Sequence, residues 1–245
     1  MATVSTRQTT TRRRGTFAGS MTAASFPTTQ VSVWGGRLNG AEIRRRFWHM
    51  SPGLLPFVLW GIDHHDPISF AFRTIAGTIL VLLATLIFAF FRLVERPGER
   101  ADRIGAVLGY AGSVAAALYL LPSQAEIGLT VLAILAFGDG SATLAGKLLG
   151  GPKLAWNSQK SWSGVIAFLV VGGSMASLVY WGETYFNAES QDPSPGLLAS
   201  VMCCSAAVLA SAIIETIPSK INDNIRVGVT AFVGLVASHA VVVGF

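Results

Sequence analysis

The chain has 245 residues, 51% of them hydrophobic and only 13% charged. A mean hydropathy of +0.54 excludes an ordinary soluble domain, in which about 25% of residues are charged. The net charge of +5 does not mark a nucleic-acid binder, because the basic residues are scattered between apolar runs, where membrane topology accounts for them.

Residues 1 to about 40 are rich in Thr, Ser, Ala and Arg and carry no acid. Such a segment buries too little surface to fold alone. It reads as a disordered cytoplasmic arm whose arginines meet anionic lipid. The alternative is an organellar transit peptide of the same composition. The domain proper is expected over residues 41–245.

Seven apolar segments follow, at about 47–62, 69–91, 104–121, 125–145, 164–182, 196–215 and 227–244. "AGTILVLLATLIFAFF" (Ala76–Phe91) is long and uncharged, as a transmembrane helix is. The first segment holds Pro52 and Pro56 and is expected to be kinked or only partly inserted. The expected fold is an all-α integral membrane protein of about seven transmembrane helices. Alternating the loops between two sides puts 17 of the 18 Lys and Arg residues on the side of the N-terminus. Arg73, near the other end of the second span, is the exception and can snorkel to that surface. The opposite loops carry Asp63, Asp66, Glu126, Glu183, Glu189 and Asp192. The positive-inside rule then predicts a cytoplasmic N-terminus and an outward C-terminus. The membrane is expected to be a bacterial inner membrane, with an organellar membrane as the alternative.

Chemistry concentrates in "LAFGDGSATLAGKLLGGPKLAWNSQKSWSG" (Leu135–Gly164). A span that starts near Glu126 must run past Asp139, which places a carboxylate below the membrane surface. An ionisable group at that depth is either functional or a structural acid paired with a lysine. Gly146 and Gly150 form a small-xxx-small pair, which serves close helix packing or lets backbone approach a phosphate chain. Lys153 and Lys160 are topology anchors or phosphate ligands. As a set they suit phosphate chemistry, with lysines neutralising charge and a carboxylate holding Mg²⁺. The stretch is not a Walker A loop, since "GKLLGGPK" lacks that order and no strand precedes it.

The remaining polar residues leave alternatives open. His49 is an interfacial histidine or a site residue. Asp223 and Asn224 suit a helix-capping turn. His64 and His65, in "DHHD", read as a solvated turn, because neighbouring side chains diverge. No partner for His239 is evident. Cys203 and Cys204 are adjacent in an apolar run and read as packing residues, neither disulfide-bonded to each other nor spaced for a metal.

The pattern Asp139, Ala142, Gly146, Gly150, Lys153, Lys160, Ser161, Gly164 resembles the signature of the membrane polyprenol kinase family. That family includes dolichol, phytol and farnesol kinases and a CTP-dependent diacylglycerol kinase. Phosphatidate cytidylyltransferases are more distantly similar. Many members carry Glu where this chain has Ser163; "KSWSG" resembles the phytol-kinase-like "KSWAG". Two weaker echoes flank it. "EIRRRFWHMSPG" (Glu42–Gly53) resembles the family's Arg/Lys-x-x-His segment, and "ETIPSKINDN" (Glu215–Asn224) its late Glu…Asp-Asn segment.

The resemblance implies CTP-dependent phosphorylation of a membrane lipid alcohol at the cytoplasmic face, with Mg²⁺. Asp139 and Lys160 would be catalytic. Gly146, Gly150, Lys153, Lys160, Ser161, Gly164 and Asn224 would bind nucleotide, and Asp139 and Asp223 the metal. Arg46, His49 and Glu215 would contact substrate or nucleotide. The alternative reaction is CDP-lipid synthesis, disfavoured because the longer acid-rich cytidylyltransferase signature is missing. A transporter or scaffold would show paired hydropathy halves, and none is visible.

Overall fold

The computed structural model describes residues 31–33, 36–38, 40–62, 64–89, 103–187 and 195–244. The proposed N-terminal arm and the Arg-rich segment 90–102 lie largely or wholly outside these. A short hairpin, β1 (Val31–Val33) and β2 (Gly36–Leu38), precedes a helical bundle.

The helices are α1 (Gly40–Met50), α2 (Leu55–Leu59), α3 (Phe70–Ala89), α4 (Arg103–Leu120), α5 (Ala125–Leu148), α6 (Trp162–Phe186), α7 (Gly196–Thr216) and α8 (Asp223–Val242). Five of them (α3 and α5 to α8) are long and apolar enough to cross a membrane. The protein is an all-α membrane protein. A second small hairpin, β3 (Lys153–Leu154) and β4 (Asn157–Ser161), joins α5 to α6.

The first expected span is a broken helix. α1 passes through a 3₁₀ turn, Ser51–Leu54, into α2, with Pro52 and Pro56 opening the two short segments. Proline at the start of a helical segment costs no hydrogen bond, whereas within a continuous helix it would break one. The broken helix runs antiparallel beside α5. Glu42 meets Lys147 at one end, and a Cβ on Gly53 would lie 2.6 Å from the Ala136 Cβ farther along. Beyond α2, Trp60 stacks on Phe186 at the far end of α6.

α5 is the central helix. Of its most apolar window 72% is buried, against 6% for α3, which faces outward along most of its length. Ile127, Val131, Ile134 and Leu135 of α5 pack with Phe168 and Tyr180 of α6, Cys203, Cys204 and Ala207 of α7, and Val227, Ala231 and Leu235 of α8. The two cysteines are thus buried packing residues, as expected.

Both α5 and α6 widen into π-turns, at Ile134–Asp139 and Phe168–Gly172. The two turns face each other, so closely that a Cβ on Gly172 would lie 2.8 Å from the Gly138 Cα. Ser141 Oγ donates to the carbonyls of Gly138 and Ala167, each at 3.1 Å, and ties the pair together. Asp139 is the last residue of the first π-turn.

Candidate active site

Asp139 is met from α1. Its Oδ2 lies 3.0 Å from His49 Nε2 and 3.6 Å from Arg46 Nη1. His49 Nε2 is also 3.2 Å from the Leu135 carbonyl. Both oxygens are acceptors, so this nitrogen carries the hydrogen and donates to the π-turn at two points. Tyr110 of α4 donates its hydroxyl to the His49 carbonyl at 3.0 Å and sets its ring edge-on to the imidazole. Arg46 donates from Nε to Glu42 Oε1 at 3.3 Å, and the same oxygen lies 2.8 Å from Lys147 Nζ. Glu42, Arg46 and His49 fall at i, i+4 and i+7, one face of α1, and that face is the buried one.

The second half of the site is built on the β3–β4 hairpin. Ser161 ends β4 and caps α6, accepting the Gly164 amide at 3.3 Å. A serine at this position satisfies one of the free N–H groups that every helix start exposes. Capping fixes where the strand ends, and so where Lys160 points. Its Nζ donates to the Glu215 carboxylate at the end of α7 and lies 3.3 Å from Asp223 Oδ2 at the start of α8. Arg226 holds the other Asp223 oxygen at 3.2 Å. Burial alone would lower the Lys160 pKa, but Glu215, Asp139 and Asp223 outweigh it and hold the ammonium above its ordinary value. Gly146, farther along α5 from Asp139, packs on Ser161 beside Lys160 and so brings the two halves side by side.

The sequence-predicted residues separate on this geometry. Arg46, His49 and Asp139 come together in one half, and Lys160, Glu215 and Asp223 in the other. Gly146 and Gly164 are packing positions, since a Cβ on the first would lie 3.1 Å from Ser161 Oγ and on the second 2.9 Å from the Ala142 carbonyl. Gly150, at φ +64°, turns the chain out of α5 with open space where a Cβ would be, and its carbonyl accepts the Ser163 hydroxyl. Lys153 is exposed at the start of the hairpin and makes no ion pair among the described residues. Asn224 is turned away from Lys160, its Nδ2 donating to the Ala106 carbonyl of α4 at 3.1 Å. Asn222, and not Asp223 or Asn224, caps α8. Among the described residues no three His, Cys, Asp or Glu side chains are arranged to hold a metal ion.

Glu42, Lys147, Tyr110 and Arg226 were not singled out from the sequence. The spacing of Glu42 to Arg46 and of Asp223 to Arg226 could have flagged two of them. Tyr110 had no local signal.

A different cluster occupies the opposite end of the bundle. His64 is not in a solvated turn: its Nε2 lies 2.6 Å from Glu183 Oε1, and both side chains are buried. Asp66 accepts from Asn187 nearby. His239 does have partners: it meets the Tyr180 hydroxyl at 2.7 Å and lies 3.5 Å from Glu126.

The fold and this site define a helical membrane protein with a buried, charge-paired centre at one end of its central helix. The chain is 25% identical over 200 residues to a probable phytol kinase 2, chloroplastic, of Oryza sativa subsp. japonica, covering 78% of this chain and 64% of that protein. It is 29% identical over 141 residues to a farnesol kinase, chloroplastic, of Arabidopsis thaliana, covering 56% and 44%. Phytol kinase 1, chloroplastic, of Arabidopsis thaliana is 24% identical over 200 residues, covering 76% and 63%. These relatives support assignment of the chain to the polyprenol and phytol kinase family. The matches span less than two thirds of each of these relatives' own length. No family model matches the chain, and no solved structure matches it.

Proposed function

We propose that this protein transfers the γ-phosphoryl group of a nucleoside triphosphate, CTP by family resemblance, to the hydroxyl of a prenol-type lipid alcohol. The alcohol oxygen bonds to the γ-phosphorus, the bond from that phosphorus to the β-phosphate oxygen breaks, and the hydroxyl proton is released with the nucleoside diphosphate. The observation that carries this reading is that Asp139 and Lys160, from one contiguous signature, each sit in a charge-paired group, and that the two groups adjoin where Gly146 packs on Ser161. A lipid alcohol keeps its chain in the bilayer while its hydroxyl reaches that depth. Phosphoryl transfer asks mainly for positioning and charge neutralisation.

The charge balance says what binding must bring. Among the ion pairs described above, Glu42, Asp139, Glu215 and Asp223 face Arg46, Lys147, Lys160 and Arg226, four acids against four bases. A triphosphate needs more positive charge than this. Lys153 supplies one, and Mg²⁺ would supply the rest. Asp139, Glu215 and Asp223 are the hard oxygen donors that this ion takes. Lys160 already sits between two of them, a cation cradled by carboxylates. Without a preformed cage, the ion would be held by Asp139 and Asp223 together with the phosphates, the usual manner of Mg²⁺ in kinases. There it would neutralise charge developing on the transferred group.

The membrane we propose is organellar, with the site on the side that carries the basic loops. The named relatives are chloroplastic, which favours this over the bacterial inner membrane expected from sequence. It also favours the transit-peptide alternative for the N-terminal arm. The test is incubation of purified protein with γ-labelled CTP and phytol, dolichol or diacylglycerol. Label in phytol supports the reading. Label released as pyrophosphate, or no turnover with any acceptor, overturns it.

A further inference from the structure

We propose that Trp156, at the tip of the β3–β4 hairpin, is the stacking platform for the nucleobase of the triphosphate, with Trp162 as a second wall. The proposal rests on the phosphoryl-transfer reading above and adds a base-binding subsite to it. Trp156 and Trp162 are 52% and 46% exposed, large for indoles beside a buried cluster. Their rings stand edge to face with centroids 6.0 Å apart, an arrangement that leaves at least one face of Trp156 clear of Trp162.

The tip is rigid. Trp156 Nε1 donates to Thr216 Oγ1 at 3.2 Å, which fixes the indole plane, and Asn157 Nδ2 donates to the Thr216 carbonyl at 2.9 Å. The neighbouring Glu215 takes Lys160. Tip and base of one hairpin are therefore anchored on consecutive residues of α7, and the aromatic face is held in place before any ligand arrives.

Position also fits. Trp156 lies between the two lysines in sequence, at the turn. Lys153 and Lys160 lie toward the hairpin's base, three and four residues from Trp156, at most about 10–13 Å along an extended chain. A nucleoside triphosphate has the same polarity, a flat aromatic group at one end and the outer phosphates at the other. Stacking on an indole takes any base and needs no hydrogen-bond code, which suits a site whose nearest amide, Asn157, is already engaged.

The competing role for an exposed tryptophan at the end of a bundle is anchoring in lipid headgroups. Full-length protein in phosphatidylcholine nanodiscs separates the two. Tryptophan emission is followed during titration with CTP and, separately, with inorganic tripolyphosphate. CTP is expected to quench wild-type emission, and Trp156→Phe to remove that quenching while keeping CTP affinity. Trp156→Ala is expected to weaken CTP about tenfold, within the range for one stacked base, and to leave tripolyphosphate affinity unchanged. Equal losses for both ligands would make Trp156 a prop for the hairpin and overturn the proposal. Quenching of Trp156 by brominated lipid with no response to CTP would make it an anchor. Failure of wild type to bind either ligand would remove the nucleotide site itself; tripolyphosphate binding without CTP quenching would remove only the platform.

Discussion

Removing the Lys160 ammonium should cost both stability and turnover, for separable reasons. Glu215 is 4% exposed and takes its charge partner from Lys160. Lys160→Ala leaves that carboxylate buried without its ammonium. Deleting one partner of a buried ion pair costs about 3–5 kcal/mol, because the other charge stays desolvated. Asp223 adds little to this sum, since its side chain is 44% exposed and Arg226 still holds it. Loss of a phosphate contact would independently cost about 2–4 kcal/mol of transition-state stabilisation, by analogy with a lost charge-stabilising donor. The double variant Lys160→Ala with Glu215→Gln, compared with Glu215→Gln alone, separates the two. It removes the stranded charge, so thermal stability in nanodiscs should recover most of the loss. It does not replace the phosphate contact, so kcat/KM for phytol phosphorylation should stay about 30-fold to 1,000-fold down. A double variant that regains wild-type kcat/KM would show Lys160 to be only a counter-ion to Glu215, and would refute its role at the nucleotide.

Asp139→Asn should weaken Mg²⁺-dependent CTP binding along with turnover; unchanged affinity with lost turnover would instead make Asp139 a proton acceptor. Gly164→Ala, whose Cβ would press on the Ala142 carbonyl, should destabilise the protein by about 1–3 kcal/mol as an overpacked contact does, read as a lower unfolding midpoint. The His64 pKa is raised to about 9, first by its hydrogen bond to Glu183, with burial opposing. A raised histidine contributes stability in full below its unfolded pKa of about 6.5 and loses it as pH rises through the folded value. Wild type should therefore lose thermal stability relative to His64→Gln between pH 6.5 and 9.5, and parallel curves would contradict the ion pair. Asp66, raised to about 6 by burial and then by Glu183, acts in a separate window: its contribution falls as pH rises from about 4 to 6.

The helices were legible because their signal is local. Apolar runs of membrane length announce themselves, and Pro52 and Pro56 announced the break between α1 and α2. Half of the site was legible for the same reason, since Asp139, Lys160 and Ser161 lie within one short stretch. The remainder depends on which helices lie side by side, and no spacing within one helix encodes that. Tyr110 reaches His49 across 61 positions, and His64 reaches Glu183 across 119. Sequence neighbours also mislead. Asn224 adjoins Asp223, yet successive helical residues point about 100° apart, and Asn224 tethers α4 while Asp223 meets Lys160. The glycines show the opposite difficulty. Gly146, Gly150 and Gly164 look alike in a motif, and only the third dimension shows that two admit close neighbours while one makes a turn.

The depth of Asp139 accounts for the odd architecture around it. It lies nine helical steps before the end of α5 at Leu148, about 13 Å of helix. The triphosphate proposed above would need positive charge brought down to meet it, and a carboxylate at that depth does not stay charged without partners. One arrangement answers both needs. α1 is broken, so its charged half, Glu42 to His49, can line the same depth without the whole span being apolar. The β3–β4 hairpin folds back over the end of α5 and sends Lys160 inward. The facing π-turns widen α5 and α6 where these groups converge, and the Leu135 carbonyl takes the imidazole N–H that also holds Asp139. Each device is costly in a membrane helix taken alone. Together they bring acids and cations to one level of the bundle, where the proposed reaction would place the lipid's hydroxyl, and no uninterrupted apolar helix can do that.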